Sequence, residues 1–211
     1  MLCVHCQAVQ PVDPTSDFFR VFGIQTAFNL DSEELEKRYK ELTKILHPDR
    51  FARSDPQARR ASLERSVQIN QAWQTLKDPV RRAEYLLSLQ GVDVGETAGL
   101  GKREKGGEHA TLPVPPVLLM EVLELREALA AAHAAGDVHE AEALIATVRS
   151  RLNVVMDDVA RGFAADSPSL SAIAARLVTV RYYRRFLDEA RALWDQDDGP
   201  TNARNGGRDA R

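Results

Sequence analysis

Apolar residues along this chain recur at three- and four-residue steps, the spacing of one face of an α-helix, and that pattern predicts helices nearly throughout. Phe18, Phe19 and Phe22 make a short apolar turn behind a cap at Thr15 or Ser16. Asp31, with Glu34 three residues on, has the form of a capping box. Behind it Leu35, Tyr39, Leu42 and Leu46 fall on one helical stripe, and Lys37, Arg38, Lys40, Glu41 and Lys44 occupy the rest of that helix. The helix must stop near His47, because the ring of Pro48 disfavours helical dihedrals in the residue before it. Asp55–Pro56 and Asp78–Pro79 each pair a cap with a first-turn proline. The first opens a helix expected to turn Leu63, Ile69, Trp73 and Leu76 to its core. The second opens a shorter helix with Val80, Ala83, Leu86 and Leu87, ending at Gly91.

Residues 92–112 change character: Gly95, Gly99, Gly101, Gly106 and Gly107 stand among polar and charged residues, the composition of a flexible linker. Pro113, Pro115 and Pro116 end it and start a long helix, and Gly136–Asp137 marks the turn to the next. Ala141, Ile145, Val148, Leu152, Val155, Val159 and Phe163 then keep helical spacing. Ser167–Pro168 opens a last helix with Ile173, Leu177, Val180, Leu187 and Trp194. The expected architecture is all-α. An N-terminal domain over 16–91, an antiparallel helical hairpin with two short helices, is joined by the linker to an antiparallel three-helix bundle over 113–194. Residues 1–15 form a separate N-terminal segment, and 195–211, polar and nearly free of large apolar side chains, reads as a disordered tail.

Composition narrows the function. Of 211 residues, 44% are hydrophobic and 28% charged, an ordinary globular balance. The net charge of -3 opposes general nucleic-acid binding, which needs a basic surplus. No run approaches the ~18 apolar residues of a membrane span, and no secretory signal is visible, so a cytoplasmic protein with no membrane partner is the expectation.

His47-Pro48-Asp49 lies between two amphipathic helices, with an imidazole and a carboxylate held apart by a rigid proline. Alone, the tripeptide reads as a polar helix–helix turn. A catalytic acid–base pair would need a protected pocket and a third group on the substrate, which an exposed turn does not offer, so no enzyme is expected. With its helices, residues 17–91 resemble the J domain. That resemblance implies that His47, Pro48 and Asp49 dock on a DnaK-class chaperone and stimulate its ATP hydrolysis. It also implies that Lys37, Arg38, Lys40 and Lys44 steer the approach. On pattern alone those four charges read as a solvated helix face.

Three stretches resemble the HscB-type co-chaperones of iron–sulfur cluster assembly: Ile69-Asn70-Gln71-Ala72-Trp73-Gln74-Thr75-Leu76, Arg82-Ala83-Glu84-Tyr85-Leu86-Leu87-Ser88-Leu89, and Leu118-Leu119-Met120-Glu121-Val122-Leu123-Glu124-Leu125-Arg126-Glu127. Independently of that likeness, Leu118, Val122, Leu125 and Leu129 suffice as a packing stripe, while Leu119, Met120 and Leu123 lie off it beside Glu124 and Glu127. Surplus apolar residues on such a helix mean either a wider core face or a partner. Tyr182, roughly 200° around the last helix from Val180, is expected to point away from the core. The resemblance implies that Leu119, Met120, Leu123, Glu124, Glu127 and Tyr182 contact an IscU-like scaffold protein, while the other domain triggers an HscA-like chaperone. The linker is long for that family.

Cys3-Val4-His5-Cys6 is a single knuckle, too few ligands for a tetrahedral structural zinc. It reads either as two exposed thiols without a role or, from its likeness to a four-cysteine module in some relatives, as half of a zinc site. No cofactor is expected. Two further readings stand beside the adaptor: a general J-domain co-chaperone for unfolded clients, and a small zinc-dependent nucleic-acid binder, which the charge opposes.

Overall fold

The computed structural model describes residues 9–13, 15–94 and 114–197. Cys3 and Cys6, the glycine-containing part of the linker and the tail from residue 198 lie outside these. The elements are α1 (Phe18–Phe22), α2 (Ser32–Leu46), a 3-10 turn (Pro48–Phe51), α3 (Pro56–Lys77), α4 (Pro79–Leu89), α5 (Pro116–Ala135), α6 (Val138–Ala164) and α7 (Leu170–Asp197). The all-α expectation holds, and the helix starts follow local chemistry. Asp31 accepts from the N–H groups of Glu33 and Glu34, Asp55 from that of Ala58, and Asp78 from those of Val80 and Arg81. Each satisfies donors that a helix N-terminus leaves without partners. The first cap is Asp17, not Thr15 or Ser16: its carboxylate sits 2.8 Å from the Arg20 amide.

One compact unit consists of the N-terminal helices together with Val159–Ala174; the other contains α5, α6 up to Asp158 and α7 from Ala175. In the first, Phe19, Leu35, Leu46, Ile69, Ala72, Leu76, Ala83 and Leu87 are buried. The hairpin of α2 and α3 is antiparallel. Tyr39 stacks on Trp73 with centroids 4.6 Å apart, and further along Leu46 meets Ser62. Leu63 departs from the expected core: it is 57% exposed. Its place on α3 is taken by Ser62 and Arg65, polar residues that a hydrophobic count passes over. Arg65 reaches the carbonyl oxygens of Gln10 and Pro11, and burial lowers its pKa. Phe163, expected in the three-helix core, instead stacks on Phe28 at 5.2 Å, and the Arg82 guanidinium lies 5.3 Å from the Phe28 ring. At this end of α6 the helices touch closely. A Cβ on Gly162 would come within 2.8 Å of Ile173.

In the second unit Leu118, Val122, Leu125, Leu129 and Ala132 of α5 pack with Ala141 and Val148 of α6 and Tyr183, Phe186 and Ala190 of α7. Gly136 ends α5 in the left-handed region at φ 65, where its lack of a Cβ removes the steric penalty, and Asp137 N–H closes onto the Ala132 carbonyl.

Candidate functional site

Two surfaces carry the residues singled out above, one in each unit. The first is the His47 turn. Pro48 holds His47 at φ -58, ψ 130, outside the helical region, so α2 stops there. Leu46, the last helical residue, is fully buried, and its carbonyl accepts the Ser62 hydroxyl at 2.9 Å and the Ser66 hydroxyl at 3.1 Å. A carbonyl that the helix end leaves without a partner is thereby bound to α3. The base of the turn is rigid; its tip is open. The His47 side chain is 52% exposed and that of Asp49 90%. His47 Nδ1 accepts the Asp49 amide at 3.3 Å, which leaves the proton of the neutral ring on Nε2 as a donor. Asp49 Oδ2 lies 3.5 Å from Nδ1, available as an acceptor for a partner. The geometry suits docking and lacks the enclosure that proton transfer to a bound substrate needs.

The four basic residues of α2 differ in their engagement. Lys37 and Lys44 are exposed. Lys40 pairs with Glu36 at 2.5 Å. Arg38 is built into the fold: its guanidinium donates to the carbonyl oxygens of Phe22 (2.8 Å) and Gly23 (3.0 Å) and bonds Glu34 at 2.7 Å, holding the C-terminal end of α1.

Ser62 and Ser66 were not anticipated. Their spacing on the face of α3 that meets the end of α2 was the available signal. Ser62→Ala should cost about 1 kcal/mol, the net value of one hydrogen bond, because Ser66 still serves the Leu46 carbonyl. Removing both hydroxyls should cost ~2–3 kcal/mol, since a buried carbonyl is then left without a donor. Thermal melting of the single and double variants checks this; equal melting of the two would remove the bracing role.

The second surface is the outer side of α5. Leu119, Met120 and Leu123 are 45%, 64% and 57% exposed, with Glu124 and Glu127 beside them, while the packing stripe is buried as expected. Of the two readings left open by the pattern, the wider core face is excluded for these three residues. Val117, also exposed, extends the apolar strip by a turn and was not picked out from the sequence. Tyr182 is a correction. It is half-buried and packs against the bundle core, because the core face of α7 is broad enough to take in both neighbouring tyrosines. Tyr183 is buried, and its hydroxyl donates to Glu121 at 2.9 Å. Burial, then the Glu121 hydrogen bond and charge, push its pKa up to about 12. Glu121 also receives Arg151 of α6, and Arg126 bonds Glu189 of α7 at 2.6 Å. These polar ties fix the rotation of α5, and with it the outward aim of Leu119, Met120 and Leu123.

Among the described residues no group of three or more His, Cys, Asp or Glu side chains could hold a metal, and no helix is long and apolar enough to cross a membrane.

Comparison with known proteins matches both halves of the chain to described domains. The family model of the DnaJ domain matches residues 17–85, and that of the HSCB C-terminal oligomerisation domain matches 114–191. The iron-sulfur cluster co-chaperone protein HscB of Mus musculus is 33% identical over 89% of this chain and 73% of its own length. A co-chaperone protein HscB homolog of Aromatoleum aromaticum is 33% identical over 85% of this chain and 96% of its own. Among solved structures, chaperone HscB from Vibrio cholerae superposes with a TM-score of 0.70 at 30% identity, covering 86% of this chain and 99% of that one. Human co-chaperone protein HscB gives 0.76 at 26% identity, over 90% and 88%. With a DnaJ domain and an HSCB C-terminal domain both matched, and relatives 33% identical along most of their length, this chain belongs to the HscB family of J-domain co-chaperones.

Proposed function

We propose that this chain is an adaptor of iron–sulfur cluster assembly. Through His47, Pro48 and Asp49 it docks on a DnaK-class, HscA-like chaperone and stimulates its ATP hydrolysis, with Lys37, Lys40 and Lys44 steering the encounter and Arg38 serving mainly the fold. Through Leu119, Met120 and Leu123, flanked by Glu124 and Glu127, it holds an IscU-like scaffold protein. Tyr182, partly covered by the core, contributes at most the edge of its ring. The working division is a J domain over 16–91, a linker over 92–112 and a client-binding bundle over 113–194. The site is cytoplasmic, and the chain itself catalyses no reaction; its relatives are named co-chaperones.

The observation that carries this reading is the exposed apolar and acidic face of α5, on a helix whose opposite face already fills a core. An exposed cluster with a flexible methionine suits a protein partner. Tethering scaffold and trigger in one chain raises the effective concentration of each for the other. In single-turnover ATP hydrolysis by the chaperone, this chain and the scaffold together should therefore stimulate at least about tenfold more than the sum of each alone, a saving in effective concentration equivalent to one decade. An unfolded polypeptide that replaces the scaffold with equal effect would instead support a general J-domain co-chaperone.

A further inference from the structure

The seam between α5 and α6 carries an exposed apolar residue that the client strip on α5 leaves out. Val154 of α6 is 57% exposed, and Val117 at the start of α5 is 75% exposed. Arg151 and Glu121 tie the two helices together beside them. The Arg151 side chain is 46% exposed and that of Glu121 29%, so this ion pair closes the seam on its solvent side. Val154 lies three residues beyond Arg151, about 4.5 Å along α6 and roughly 60° around it. Val117 lies four residues before Glu121, about 6 Å along α5 and roughly 40° around it. Glu121 and Arg151 stand equally far from the Gly136 turn on two antiparallel helices, so both steps run in the same direction. Both also lead away from the buried residues, Leu118, Val122 and Leu125 on α5 and Val148 and Val159 on α6. The two valines therefore flank the open side of one seam.

A single exposed valine on a helix is ordinary. Val154 differs in its continuity with the strip on α5. Leu123, Met120 and Val117 follow one another at three-residue steps, the spacing of neighbours on a helix surface, and the ridge they form reaches the seam where Val154 stands on the other side. The charges at the crossing answer each other: Arg151 bonds Glu121, which also accepts the Tyr183 hydroxyl. An apolar partner surface can therefore pass over the seam without burying an unpaired charge. We infer that the scaffold's footprint spans two helices, with Val154 of α6, reached through Val117, as a specificity-determining contact outside α5. The footprint rests on the client role proposed for α5 and gives the partner a shape. Packed helices lie about 8–10 Å apart, so the surface that fits is apolar and broad enough to bridge them. An extended chain lying along α5 alone does not reach Val154, whereas a folded scaffold does.

Calorimetric titration of the full chain with the IscU-like scaffold protein, beside thermal melting, tests the contact. Val154→Gln should weaken binding at least about tenfold, with melting and scaffold-free stimulation of the chaperone unchanged, because the side chain is exposed and glutamine is a good helix former. Val154→Ile, which keeps an apolar surface, should bind like the unaltered chain. Val138→Gln makes the same change at a position 49% exposed at the other end of α6, and it should leave affinity as it was. The triple alanine variant of Leu119, Met120 and Leu123 separates the two levels of the assignment. If it loses the scaffold while Val154→Gln keeps it, the footprint is confined to α5 and the contact falls, with the client role of α5 intact. If the triple variant binds like the unaltered chain, that role falls and the contact with it. Equal losses from Val138→Gln and Val154→Gln, a Val154→Ile chain that binds no better than Val154→Gln, or lost affinity accompanied by a lowered melting temperature would each overturn the contact as well.

Discussion

His47→Gln is expected to lower stimulation of chaperone ATP hydrolysis to the unstimulated rate, a loss of at least about tenfold, or ~1.4 kcal/mol of transition-state stabilisation, while leaving the fold intact. The two halves of this expectation rest on different features of the turn. The His47 side chain is half-exposed and makes only weak local contacts with Asp49, the 3.3 Å bond to its amide and a 3.5 Å approach to its carboxylate, so its removal should change stability by no more than about 0.5 kcal/mol. Its Nε2–H and the exposed Asp49 carboxylate are polar groups the turn offers to a partner. Glutamine keeps size and polarity but not the ring. Leu46→Ala is the contrasting change one residue earlier. Leu46 is fully buried, and truncation should cost ~2–5 kcal/mol and move the whole turn. Single-turnover hydrolysis and thermal melting on both variants separate loss of docking from loss of fold. A His47→Gln chain that stimulates like the unaltered one would end the J-domain mechanism.

The parts of this molecule that could be read from sequence are those where a local rule and the tertiary environment agree. Asp31, Asp55 and Asp78 cap helices because a carboxylate before a helical run satisfies amides wherever the helix packs. Pro48 ends α2 through a clash within the chain itself. The α5 stripe was legible because its core is made by three helices in regular packing, for which a single face suffices. The misses share another cause. Leu63, six residues before Ile69, lies about 120° off the stripe of Ile69, Trp73 and Leu76 and faces solvent, while Ser62 and Arg65 face inward on specific partners, the Leu46 carbonyl and the Gln10 and Pro11 carbonyls, that a hydrophobicity pattern does not weigh. Phe163 keeps the period of α6 yet belongs with Phe28, since a long helix can serve one unit along most of its length and another at its end. Tyr182 and Tyr183 are adjacent, and only the position of Glu121 decides which hydroxyl is tied down. The role of Arg38 was similarly hidden: a basic residue on a basic helix gives no sign that it holds the last carbonyls of α1.

Replacing Leu119, Met120 and Leu123 together with alanine is expected to weaken scaffold binding by about 100-fold or more, ~3 kcal/mol, with little change in melting and unchanged stimulation of the chaperone in the absence of scaffold. If these side chains filled the bundle, each truncation would cost ~2–5 kcal/mol and the triple variant would not fold. Their exposure decides between the cases, because a side chain about half in water leaves no cavity when shortened. Alanine is also the best helix former, so α5 should not fray. The polar ties of Glu121 and Arg126 to the hairpin, untouched by the substitution, keep the helix in register. Calorimetric titration with the scaffold protein and thermal melting of the same sample form the test. Unchanged affinity with unchanged melting would remove α5 from client binding. Lost affinity with a lowered melting temperature would instead assign these residues to the core, whereas lost affinity alone identifies the outer face of α5 as the surface that holds the client.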